Sequence, residues 1–254
     1  MESVLAILQK HLVWTLSNRY GGQSQAPYDS LNLAFHVGDE EQNVAQNRQI
    51  LLQSLGLCDR TLVAMDQIHS NKIVVLDSNA IILPNSQPQG DCLLSHRDDV
   101  ALLVMVADCN PILLYDPVRD VFGVIHAGRK GIELGILIAA LQKMHTHFGC
   151  LMCDIVGFVG ASIRSCCYEV GVDVAQNFAQ QTTQQSLVWR GECVFLDLLV
   201  VLKMQWQQSG CLAQNLAIDK RCSACCAEFF SYRRQGICGR FGIIAAKKQR
   251  RCCD

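Results

Sequence analysis

The stretch DCLLSHRDDVALLVMVADCNPILLYDPVRDVFGVIH, residues 91–126, sets the fold class of this chain. It holds four short apolar runs, Asp91 to Ser95, Ala101 to Val106, Ile112 to Tyr115 and Val121 to Ile125, separated by Asp, Asn, Pro and Arg clusters. Runs this short, bounded by turn formers, read as β-strands. Thr61 to Ala64 and Lys72 to Leu76 read the same way, so strands follow one another until the helical pattern Ile132 to Phe148, closed by Gly149. That order lacks the regular alternation of a doubly wound sheet. It predicts an α+β fold, a single domain with mixed β-sheets flanked by helices.

Upstream, His11 to Ser17 reads as a strand ending at Asn18-Arg19-Tyr20-Gly21-Gly22, and Asn43 to Leu55 has apolar residues at helical spacing up to Gly56. Downstream, Asp154 to Val159 reads as a buried strand, Val172 to Gln181 and Leu196 to Gln208 as helices, and Phe241 to Ala245 as a final strand. No repeat or domain linker interrupts the chain, and Pro84 to Gly90 is only a polar loop. One domain is therefore expected over residues 1–254, with 246–254, which contains Lys247-Lys248-Gln249-Arg250-Arg251, as a disordered basic tail.

With 254 residues, 50% of them hydrophobic and 18% charged, the chain can bury a core unaided. A net charge of -1 gives no reason to expect a nucleic-acid partner. Fifteen cysteines are an odd number in a long chain whose core needs no staples, so reduced thiols and a cytoplasmic location are expected. Met1 to Trp14 shows neither the charge pattern nor the cleavage site of a signal peptide. The closest approach to a membrane span, Ile132 to Leu141, is too short and contains Glu133, so no membrane partner is expected.

Chemistry concentrates in three islands, Gln67-Ile68-His69, Ala107-Asp108-Cys109 and His126-Ala127-Gly128, each placing a soft or borderline metal ligand beside an apolar run. Alone, a loop histidine reads as a surface residue and a strand-end cysteine as a buried inert thiol. Together they place three ligands at strand exits, where sheets commonly carry their sites. Two imidazoles and a thiolate with a fourth position open match a catalytic zinc rather than a structural one. Asp91 and Asp108 are candidates to orient an imidazole or act as general base, or they simply cap turns. Two C-x-x-C units, Cys150 to Cys153 and Cys222 to Cys225, lie in different contexts and read as coincidence in a cysteine-rich chain; Cys166-Cys167 and similar pairs read as core or tail thiols.

The stretches Arg19-Tyr20-Gly21-Gly22, Pro27-Tyr28-Asp29-Ser30-Leu31-Asn32-Leu33, His36-Val37-Gly38-Asp39, Gln67-Ile68-His69, Ala107-Asp108-Cys109-Asn110-Pro111, His126-Ala127-Gly128 and Phe229-Phe230-Ser231-Tyr232-Arg233-Arg234 run in order through nearly the whole chain. As a set they resemble the signature of the YfiH family, also called the polyphenol oxidase or laccase-domain family of purine nucleoside phosphorylases. The resemblance implies an α+β fold distantly like that of cysteine hydrolases and a zinc held by His69, Cys109 and His126. It also implies phosphorolysis of adenosine, inosine, guanosine and methylthioadenosine, with adenosine deamination as a companion activity, and a link to peptidoglycan precursor editing. Purine nucleosides and phosphate are thus the expected partners, His69, Cys109, His126 and Asp91 the expected catalytic residues.

Phosphorolysis needs an anion pocket beside the ribose C1′. Arg19, Arg48 and Lys130 match basic positions of the family pattern and are the candidates. Two departures bear on substrate handling. His126-Ala127-Gly128-Arg129-Lys130-Gly131 replaces an aromatic by Arg129 and an arginine by Lys130, and Gly160-Ala161-Ser162-Ile163 lacks the family proline, which predicts a looser turn. Three competing readings remain. A copper-dependent polyphenol oxidase would need several His-x-His pairs, and only His145 and His147 form one, although copper could substitute at a zinc site. A metal-independent Cys109 hydrolase activated by His126 or His69, and a non-enzymatic zinc module, are the others.

Overall fold

The computed structural model describes residues 2–82 and 87–249. Its elements in chain order are α1 (Val4–His11), β1 (Leu12–Leu16), α2 (Glu41–Ser54), β2 (Thr61–Ala64), β3 (Ile73–Leu76), β4 (Cys92–Ser95), β5 (Val100–Val106), β6 (Asn110–Asp116), β7 (Val121–Ala127), α3 (Arg129–Glu133) and α4 (Ile136–Phe148). There follow β8 (Val156–Val159), β9 (Glu169–Val170), α5 (Val172–Gln181), β10 (Leu187–Arg190), β11 (Cys193–Leu196), α6 (Leu198–Gln208), β12 (Leu216–Ile218), α7 (Tyr232–Gln235) and β13 (Phe241–Lys247).

Two mixed sheets pack face to face, one ordered β1-β13-β5-β2 and one ordered β12-β8-β6-β7-β4-β3; a small third sheet, β10-β11-β9, joins the cluster on the outer face of the larger one through Val194 and Leu196. Strand β5 shows why the sequence reads as an unbroken apolar run. Val100, Leu102 and Val104 enter the cluster between the two sheets, with Leu93, Leu113, Phe122 and Val124 of the facing sheet. Ala101, Leu103 and Met105 point the other way, into a cluster with Leu51 of α2. A strand covered on both faces has no polar side to alternate with. Strand β6 behaves likewise: Leu113 and Tyr115 join the inter-sheet cluster, whereas Ile112 and Leu114 meet Ile136, Leu137 and Leu141 of α4. The α+β expectation holds, with helices on the outer faces of two mixed sheets.

Local differences have local causes. The helix expected over 132–148 is two helices, because Gly135 adopts φ 74° and ends the first run. Gly149, at φ 71°, closes the second, as expected. Leu196 belongs to β11, and Asp197 caps α6 by accepting from Leu199 N at 3.1 Å. Helix α1 takes His11 from the expected first strand and is capped by Ser3 Oγ, 3.2 Å from Ala6 N. The basic tail begins later than expected. Ala246 and Lys247 are strand residues, and the Lys247 ammonium meets Asp98 (2.7 Å), Asp120 (2.9 Å) and His96 O (2.8 Å). Residues 250–254, and Pro84 to Ser86 of the polar loop, lie outside the described residues. No helix among the described residues is long and apolar enough to cross a membrane.

Candidate metal centre

One end of the larger sheet gathers the three islands. Strands β6 and β7 are antiparallel with Pro111 opposite His126, so the start of β6 and the end of β7 coincide in space. Cys109 immediately precedes β6, and Asp91 immediately precedes β4, whose partner is also β7. His69 comes from the segment between β2 and β3. Of the three ligands expected at strand exits, His126 ends β7 and Cys109 lies in the short turn from β5 into β6, whereas His69 lies within the longer segment from β2 to β3. The ligand atoms of His69, Cys109 and His126 lie within 4.8 Å of one another. The two imidazoles meet edge to face, with ring centroids 4.7 Å apart.

The carboxylate of Asp91 organises the group. It is fully buried and accepts four hydrogen bonds, from His126 Nδ1 (2.8 Å), His69 N (3.0 Å), Ser70 N (2.6 Å) and Ser70 Oγ (2.7 Å). Burial works against its charge, yet the His126 and Ser70 bonds hold its pKa below the usual carboxylate range. An ionised acceptor fixes the proton of His126 on Nδ1 and leaves Nε2 for Cys109. His69 sits at φ 56°, a left-handed conformation uncommon outside glycine, held by the same carboxylate. Asp108, at φ 95°, orients no imidazole. It accepts from Ser223 Oγ (2.6 Å) and Arg233 N (2.7 Å), tying a later loop and the start of α7 to the centre.

Burial would push the Cys109 thiol up, but the His126 and His69 imidazoles overcome it and bring its pKa to about 6. Burial likewise opposes charge on His126, while Cys109 and Asp91 raise its pKa to about 9. The metal-free pair is therefore thiolate and imidazolium. Space is arranged for close approach: a Cβ at Gly128 would lie 3.0 Å from Cys109 Sγ and 3.1 Å from His69 Cδ2. A thiolate, two imidazoles, a carboxylate behind one of them and a glycine beside them fit a borderline transition metal.

The centre opens into a cavity of about 420 Å³ lined by His36, Gln67, Tyr168, Tyr232, Arg233 and Arg240, among others. None of the three cations expected to hold phosphate forms its wall. Arg19 pairs with Asp29 (3.1 Å) and stacks on Phe230; half-buried Arg48 donates to Leu33 O (2.8 Å) and stacks on Phe35; Lys130 is exposed and 3.7 Å from Glu133. Arg233 and Arg240 line the cavity instead. Arg233 lay in the quoted Phe229-to-Arg234 motif, whereas nothing in the pattern marked Arg240. Burial and the nearby Arg240 lower the pKa of His36, which keeps its ring neutral. Arg129 also pairs with Glu133 and lies beside the Tyr168 hydroxyl, and Ala161 is fully buried beside Phe229 and Phe241, so the turn lacking proline is packed tight.

The cysteine pairs also need correction. Among the described residues Cys150 and Cys153 gather no further ligands, but Cys222 and Cys225 meet Cys166 and Cys167.

Comparison with known proteins places this geometry. The family model described as multi-copper polyphenol oxidoreductase laccase matches residues 13–247. A Corynebacterium glutamicum protein named purine nucleoside phosphorylase is 36% identical, covering 92% of this chain and 94% of its own. YlmD of Geobacillus stearothermophilus, also so named, is 31% identical over 92% of this chain and 89% of its own. The crystal structure of Bacillus licheniformis YfiH superposes with a TM-score of 0.86 at 29% identity, covering 95% of this chain and 94% of that one. The G. stearothermophilus YlmD structure gives 0.85 at 28% identity, covering 94% and 92%. With matched sequence running from the first strand to the last and the same fold throughout, the chain belongs to the YfiH family of laccase-like domains.

Proposed function

We propose that the chain is a zinc-dependent purine nucleoside phosphorylase acting on adenosine, inosine, guanosine and methylthioadenosine, with adenosine deamination as a side activity. The single observation that carries this reading is the joining of two chemistries in one cavity: a His/Cys/His centre beside a wall with two guanidinium groups. The names of the relatives support it. A volume of about 420 Å³ suits a small ligand of nucleoside size.

In phosphorolysis a phosphate oxygen bonds to C1′ as the C1′–N bond breaks and its electron pair leaves with the purine. Arg233 and Arg240 supply the positive field for phosphate. Arg233 is oriented by its Nη1 bond to Glu169 O (2.7 Å), Arg240 by bonds to Cys238 O (2.8 Å) and Gly239 O (3.1 Å). Tyr168 and Tyr232 line the cavity where the base would sit, and neutral His36 can exchange a proton with it. A zinc ion held by His69, Cys109 and His126 would supply Lewis acidity, polarising a substrate atom or acidifying the water needed for deamination. Gln67 stays out of the chemistry: its amide clamps Met105 through both backbone groups, at 2.7 and 2.9 Å.

The test is incubation of metal-analysed protein with those nucleosides, with and without phosphate, separating free base, ribose 1-phosphate and deaminated nucleoside. Phosphate-dependent ribose 1-phosphate is expected; products independent of phosphate would refute phosphorolysis. A second reading has its own observation. Asp91, His126 and Cys109 form a relay ending in a thiolate, which suits a metal-independent hydrolase, the form that peptidoglycan precursor editing would take. Activity that survives chelation and dies on Cys109 alkylation would establish it. Copper-dependent phenol oxidation is disfavoured, because only two imidazoles converge among the described residues; His145 and His147 bind Cys150 O and Asp77 instead.

A further inference from the structure

Two pairs of cysteines, far apart from each other in sequence, meet in the fold. Cys166 and Cys167 lie between β8 and β9, and Cys222 and Cys225 between β12 and α7. Their sulfurs all lie within 4.8 Å of one another. Cys225 Sγ is 3.3 Å from Cys167 Sγ and 3.6 Å from Cys166 Sγ. Those gaps far exceed a disulfide bond of about 2.05 Å. They approach the edge of about 3.8 Å in a tetrahedron with zinc–sulfur bonds of about 2.3 Å.

We propose that Cys166, Cys167, Cys222 and Cys225 form a second metal site, a closed four-thiolate tetrahedron for a structural zinc ion. The site goes beyond the nucleoside reading and stands without it.

Backbone geometry supplies an independent reason. The Cys222 carbonyl accepts from Cys225 N (3.2 Å) and Cys226 N (2.9 Å), folding C-x-x-C into a tight turn. Backbone N–H groups of Arg164, Cys225 and Ala224 point at the Cys222 sulfur. All four positions being sulfur leaves no open site, so the ion holds structure rather than substrate.

What it holds is the cavity wall. Ser223, next to Cys222, donates to Asp108, and Tyr168, next to Cys167, faces the cavity. The Ser162–Cys222 bridge already joins the two segments, with Ser223 N bonded to Ser162 O at 3.0 Å. Removing the ion frees two loops without removing a group that touches substrate. The expected signature is a raised nucleoside KM with a smaller change in kcat.

The test counts zinc in full-length protein purified under reducing conditions without chelator. Two ions per chain are expected in the wild type, one in Cys166→Ser/Cys225→Ser and one in Cys109→Ser. The paired serine variant alters the two most exposed of the four sulfurs, which favours folding. Should it fail to fold, cobalt-substituted Cys109→Ser decides: the intense sulfur-to-cobalt charge-transfer band of a four-thiolate site is expected. Absence of that band overturns the proposal, as does a single wild-type ion that Cys109→Ser removes, or an intact disulfide among the four in freshly reduced protein. A single ion that survives Cys109→Ser and is lost from the paired variant supports this site and counts against the other.

Discussion

Replacing Asp91 by asparagine keeps the shape of the side chain and removes one acceptor. The carboxylate serves His126 and His69 through Oδ1 and Ser70 through Oδ2, so an amide leaves two of four donors facing an NH2 group. Hydrogen bonds to a charged group contribute about 1.5–3 kcal/mol each, so losing two from this buried position costs folding about 3–6 kcal/mol. At the metal, loss of the carboxylate behind an imidazole weakens affinity about 10- to 100-fold, equivalent to about 1.4–2.7 kcal/mol. Denaturant unfolding reads the first quantity. The second is read by competing zinc against a chelator while following protection of Cys109 from iodoacetamide, a signal from this centre alone. Zinc protection in Asp91→Asn within about twofold of wild type, where about tenfold or more is required, would refute the role given to the carboxylate.

Gly128→Ala places a Cβ 3.0 Å from Cys109 Sγ and 3.1 Å from His69 Cδ2; overpacking of about 1–3 kcal/mol is expected to fall mainly on zinc affinity, and unchanged Cys109 protection would show that the trio has slack. In metal-free protein, Cys109 alkylation should rise through pH about 6 and level off, and His126→Ala should move the rise upward; a wild-type rate still climbing toward the ordinary thiol value of 9.0 contradicts the ion pair. Because the folded pKa of Cys109 lies below the unfolded one, its thiolate contributes stability above pH about 6, increasingly toward 9.0, and none below. Lys247→Met removes an ammonium held by Asp98, Asp120 and His96 O; with Asp98 largely exposed, a loss of about 1–2 kcal/mol is expected in denaturant unfolding, and no measurable change would return Lys247 to the status of a tail residue.

The strands and the metal trio were legible because each is a local signal. A strand buried on both faces is an apolar run, and a ligand beside it is visible at once. The partners were not, since pairing is a long-range fact. Cys222-x-x-Cys225 looked accidental because its complement, Cys166-Cys167, arrives from another loop, across a gap that only the fold closes. The cations of the cavity wall were misplaced for the same reason. Arg19 and Lys130 sit close to motifs in sequence, but Asp29 and Glu133 hold them, whereas Arg233 and Arg240 reach the cavity from the approach to β13. Short elements such as β9, two residues long, have no periodicity to read.

The most direct measurement is anomalous scattering at the zinc edge from crystals of protein with its metal content assayed. A peak bonded to Cys109 Sγ, His126 Nε2 and a nitrogen of His69, at about 2.0–2.3 Å, is expected. A fully zinc-loaded crystal with no peak among those three residues would contradict the reading on which the proposed function rests.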